Sequence, residues 1–78
     1  MNKLILKEYN ADRVVYQYLP EGKGEPGEVM YNIKTQEALV VIRASGDQYG
    51  RYGHNASRKI KEYIGDDYLP LNAYQAWN

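Results

Sequence analysis

The chain has 78 residues with no cysteine, ten basic and ten acidic side chains, and a formal net charge of zero. That length holds one domain, residues 1–78, and the missing thiols exclude disulfides, thiolate metal sites and a cysteine nucleophile. No apolar run approaches the roughly 18–20 residues of a membrane span, and Leu4-Ile5-Leu6 is shorter than the about 7–15 apolar residues of a secretory signal, so we expect no membrane partner and a cytoplasmic location.

Lys3 to Tyr9 reads as a first strand, with Leu4 and Leu6 on one side and Ile5 on the other. Asn10-Ala11-Asp12 signals a turn. Arg13 to Leu19 reads as a second strand, Val14, Tyr16 and Tyr18 sharing one face, and its β-branched and aromatic density suits a pleated surface. Pro20 to Gly27 holds three of the seven glycines and two of the three prolines. We expect a mobile hairpin loop there, with nothing to anchor a core. Val29, Tyr31 and Ile33 then alternate with Met30, Asn32 and Lys34, a third strand that is polar on one face. Lys34-Thr35-Gln36 suits a tight turn. Ala38 to Ala44 is the most apolar run, and by composition it reads as a central strand covered on both faces.

The period changes at Ser45-Gly46-Asp47. Tyr49, Tyr52, Gly53, Ala56, Ile60, Tyr63 and Ile64 recur at three- and four-residue steps, which predicts an amphipathic helix over 47–64. Ser45 or Asp47 suits its N-cap, and Gly65 suits the left-handed position after its end. Gly50 and Gly53 each lower helix propensity by about 1 kcal/mol relative to alanine, which places the start between Asp47 and Asn55. A helix reaching back to Gly53 would offer Gly53 and Ala56 as a point of close approach to a sheet. Beyond it, Pro70 argues against a central strand, while the alternation from Ala73 to Trp77 predicts a short edge strand or packed extended segment. Trp77 suggests an end docked on the body.

Nine tyrosines, one tryptophan and no phenylalanine stand beside a Leu, Ile and Val content of only about a fifth. Tyrosine rings must therefore fill much of the core, their hydroxyls reaching the surface or a partner. The alternative is a tyrosine-rich binding face. Chemistry is sparse. His54 is the only histidine, and Ser45 and Ser57 lie too close to it along the chain for the convergence a catalytic triad needs. Gly46 to Gly53 matches neither phosphate-binding glycine pattern, and Asp66-Asp67 with Glu62 lacks calcium-loop spacing. Asn55-Ala56-Ser57 fits a glycosylation sequon without a signal peptide to go with it. One pattern rises above this background. Helical geometry gathers Arg51, His54, Arg58 and Lys61 on one basic outer face, and Arg51 to Lys61 contains no acid.

These readings add up to an α+β fold. Its sheet is a four-stranded antiparallel meander, with one amphipathic helix packed on one face and a C-terminal extended segment or short edge strand. For function we expect a non-catalytic protein-interaction module, binding a protein partner or forming a homodimer, with no cofactor and no metal. A nucleic-acid-binding module ranks second. It would use Arg51, His54, Arg58 and Lys61 with base stacking on Tyr16, Tyr18 or Tyr31, and the zero net charge counts against it.

Overall fold

The computed structural model describes residues 1–76. Strand alternation produces β1 (Asn2–Tyr9), β2 (Arg13–Pro20), β3 (Gly27–Asn32) and β4 (Glu37–Ile42), followed by α1 (Arg51–Gly65) and β5 (Asn72–Gln75). The strands form one antiparallel sheet in the order β4-β3-β2-β1-β5. It is a four-strand meander whose C-terminal segment adds a fifth strand at the β1 edge, with α1 across one face.

Two asparagines set the short turns. Asn10 Oδ1 accepts the amides of Asp12 and Arg13 at 2.8 and 3.0 Å, and Asn32 Oδ1 accepts those of Lys34 and Thr35 at 2.9 and 3.0 Å. Such side chains mimic a backbone turn, which explains their place at these bends. The core lies between α1 and the sheet. Leu4, Val14, Tyr16, Tyr18, Val29 and Tyr31 meet Ala56 and Ile60 there, with Ala44 at one end. Tyrosine does fill the core, and each deeply buried hydroxyl has a partner. Tyr16 donates to the Pro70 carbonyl at 2.6 Å, and Tyr18 donates to Asp47 at 2.8 Å.

Several expectations need correction. Ala38 to Ala44 is not a central strand: β4 sits at the sheet edge, and most of its side chains are exposed. The segment from Pro20 to Gly27 does reach the interior, but only at its ends: Pro20 closes β2, Gly27 opens β3, both are buried, and residues 21–25 between them are exposed. A Cβ on Gly27 would collide with the Tyr18 ring. Tyr49 lies outside the helix and is exposed. Ser45 caps no helix; its Oγ accepts the Glu25 amide at 2.9 Å. Gly65 is the last helical residue, and Asp67, at φ 55°, takes the left-handed position instead. The amides of Asp67 and Tyr68 return to the Ile64 and Tyr63 carbonyls, both at 3.1 Å, closing the end as a Schellman motif. Trp77 lies outside the described residues.

Candidate interaction site

A meander leaves its last strand with one free side, and the candidate site is built on that fact. β4 pairs with β3 alone, so among the described residues its outer backbone groups meet no other strand. Leu39, Val40, Val41 and Ile42 are 48, 38, 46 and 50% exposed. Sheets usually blunt an edge with charge, proline or a covering segment. Here the bare edge carries four apolar side chains in succession.

The register distributes them. Ala38 and Val40 oppose Tyr31 and Val29 and lie on the helix side, while Leu39 opposes Met30 on the uncovered face. The pairing then shifts by a residue between Val29 and Glu28. This bulge turns both Val41 and Ile42 toward the uncovered face, where with Val15 and Met30 they form the apolar part of a shallow groove of about 540 Å³ that Lys7, Glu8, Arg13 and Glu28 complete.

On the other side, α1 forms a wall beside β4. It begins near Arg43 and ends near Ile33 and Gln36, so it runs antiparallel to the strand. Gly53 permits the close approach: a Cβ there would lie 2.8 Å from Val40 Cγ2 and 2.9 Å from Tyr18 Oη. Asp47 fixes the helix start. Its Oδ1 accepts the Tyr52 amide at 3.1 Å, and its Oδ2 accepts the Gly53 amide at 2.9 Å together with the Tyr18 hydroxyl. The same Tyr18 oxygen accepts the Ala44 amide at 3.0 Å. A buried carboxylate is thus satisfied by helix N–H groups, whose partial positive charge suits it.

Arg51, His54, Arg58 and Lys61 all lie on α1 and are exposed, and their three- and four-residue steps keep them in one row. Of the row, His54 reaches the β4 side. With Ser57 it lines a groove of about 340 Å³ between helix and strand, together with Ala38, Leu39, Val40, Arg43 and Asp47, whose carboxylate is occupied by the Tyr52 and Gly53 amides and the Tyr18 hydroxyl. Arg43 is a cation that sequence reading left out of the set. No ion pair engages Arg43, Arg51, Arg58 or Lys61 among the described residues. Lys59 differs: it turns to the opposite flank, 3.6 Å from Glu62 and 5.7 Å from the centre of the Tyr63 ring.

The tyrosines proposed for base stacking are not available for it. Tyr16, Tyr18 and Tyr31 are buried beneath α1. Tyr9, Tyr49, Tyr68 and Tyr74 are the exposed ones, so the residue type divides between core and surface. A larger open groove of about 570 Å³ lies beneath the end of α1, lined by Leu6, Tyr9, Tyr31, Ile33, Tyr63 and Leu71 among others. Asp67 is the one ionised group in its lining, so the β4 side, with Arg43 and His54 beside an unpaired edge, carries the stronger recognition chemistry.

Among the described residues no three His, Asp or Glu side chains are grouped to hold a metal ion. No described helix is long and apolar enough to cross a membrane. No protein-family model matches the chain, and neither a curated protein nor a solved structure matches it.

Proposed function

We propose that this chain is a non-catalytic protein-interaction module that binds by strand addition at β4. The observation that carries this reading is the unpaired edge with Leu39, Val40, Val41 and Ile42 between 38 and 50% exposed. An extended segment laid along β4 completes the backbone hydrogen bonds and covers alternate side chains, a recurring mode of peptide recognition. The polar side chains of the interior support a structural rather than catalytic role. Asp47 ties Tyr18 to the start of α1, and Asn2 joins β1 to the Tyr52 carbonyl at 2.9 Å and to Gln75 at 3.3 Å.

Panning a displayed library of peptides about seven residues long, enough to span a strand like β4, tests the reading. Selected peptides are expected to shift the backbone amide resonances of residues 37–43 most strongly. Shifts confined to the tyrosine-lined groove, or a library that yields no binder, overturn strand addition.

Nucleic-acid binding remains the second reading, resting on the unpaired cations of α1. Burial of Tyr16, Tyr18 and Tyr31 removes its stacking platform, and the neutral chain provides no long-range attraction. A short single-stranded oligonucleotide is expected to show no binding at about 0.15 M salt, where exposed charges are screened beyond about 8 Å.

A further inference from the structure

We infer that the segment β4 accepts is an extended peptide alternating acidic and apolar residues, an inference that rests on strand addition at this edge. A strand laid beside β4 continues the sheet, and its side chains point alternately to the two faces. On the helix side they enter the groove lined by Arg43, His54 and Asp47, whose carboxylate is already taken up by the Tyr52 and Gly53 amides and the Tyr18 hydroxyl, with Arg58 and Lys61 one and two turns beyond His54 along α1. No acid of this chain pairs with those arginines or that lysine among the described residues, so carboxylates on the added strand supply the missing charge. On the opposite side the alternate residues extend the apolar surface of Leu39, Val41 and Ile42. Period two therefore converts a two-sided groove into a sequence pattern: acid toward the helix, aliphatic toward the open face.

The charge row also argues against a second copy as the occupant. Two β4 strands paired about a two-fold axis keep both helices on the same face of a continuous sheet. Each copy would then present Arg43, His54, Arg58 and Lys61 to the same row of its partner. Like charges facing across an interface oppose association. A nucleic acid would complement the charge but has no backbone ladder to pair with β4 and nothing to cover Leu39, Val41 and Ile42. An acidic, extended peptide satisfies the edge, the apolar row and the cations together.

Fluorescence anisotropy with end-blocked, labelled peptides of about seven residues, a length matched to the strand, tests this directly. One peptide alternates Glu and Val, one alternates Thr and Val, and one carries the Glu and Val residues in two separate blocks. The alternating Glu peptide is expected to bind about tenfold more tightly than either other at low salt, with the margin over the Thr peptide shrinking as salt rises. The double variant Arg58→Gln, Lys61→Gln is expected to erase most of that margin while its circular dichroism stays unchanged, since both side chains are exposed. Equal affinity of the Glu and Thr peptides overturns the acidic preference and leaves strand addition standing. Failure of both alternating peptides to perturb residues 37–43 overturns strand addition itself. Tighter binding of a single-stranded oligonucleotide, lost in the same double variant, transfers the site to nucleic acid. A peptide-free dimer at low salt whose seam is β4 transfers it to a second copy.

Discussion

The Tyr18 hydroxyl holds three parts of the molecule with one oxygen. It donates to Asp47, which accepts two amides in the first turn of α1, and accepts the amide of Ala44, where the chain leaves β4. Gly53 sits against that oxygen, 2.9 Å from where a Cβ would stand. Gly53→Ala should raise helix propensity by about 1 kcal/mol. The added methyl would also meet an oxygen pinned by two hydrogen bonds, and overpacking of this kind costs about 1–3 kcal/mol. The expected net result is a lower melting temperature, and a rise would mean that Val40 and Tyr18 yield easily. Protonation gives a second test at this scale. Burial pushes the phenols of Tyr16 and Tyr18 up to about 12, with Tyr63 and Tyr68 adding to the first and Asp47 to the second against the opposing Ala44 amide. An unfolded tyrosine titrates near 10, so the folded state favours the neutral phenol. Stability from this source is complete below about pH 10 and is lost as pH rises toward 12. Urea midpoints measured across that range should fall, and Tyr16→Phe should make the fall shallower. The N-cap position expected of Asp47 belongs to Gly50, in the left-handed conformation and with no side-chain cap bond, although Asp47 from further upstream does accept the Tyr52 and Gly53 amides. The link of Asp47 to Tyr18 was not legible in the sequence, because β2 and the helix start meet only in three dimensions.

At the scale of elements, alternation placed the four meander strands within two residues of their observed ends, β3 stopping at Asn32 and β4 at Ile42, each two residues early. Composition misplaced β4. A run as apolar as Ala-Leu-Val-Val-Ile resembles a strand covered on both faces, yet the connectivity already made it the meander's last strand. Connection order was the better guide, since short links keep successive strands adjacent. The same physics left half of the candidate site visible: helical spacing gathered Arg51, His54, Arg58 and Lys61, while the strand edge beside them and Arg43 depended on sheet order. β5 was legible from its alternation. It pairs with β1 from Asn2↔Gln75 to Ile5↔Asn72, the Leu6 amide donates to the Leu71 carbonyl at 2.9 Å, and Pro70 receives the Tyr16 hydroxyl. Deleting residues 69–78 should therefore lower the melting temperature by more than about 5 °C, the shift expected from roughly one kcal/mol in a domain of this size. A loss of less than about 2 °C would mean that this segment contributes little.

For the whole molecule, zero net charge hides an uneven distribution, with an unopposed cationic flank beside the apolar edge. Ultracentrifugation at about 100 µM protein should find a monomer at low salt, and association should grow near 1 M salt, where the Debye length falls to about 3 Å. Association that weakens with salt would contradict the repulsive seam. The joining of β1 to β5 also has a consequence for the order of events in folding. Asn2 and Gln75 meet across 73 positions, whereas each hairpin of the meander closes over a short turn. Pairings between distant segments form slowly, so the meander is expected to assemble first and β5 to dock afterwards. Until it does, the sheet is open along both β1 and β4. Docking covers β1 with a strand of four residues, Asn-Ala-Tyr-Gln, and leaves β4 as the one long apolar margin. A newly made chain thus passes through a stage in which two long margins can recruit a stray strand, and the arrival of residues 72–75 replaces one of them with a margin of four mostly polar residues.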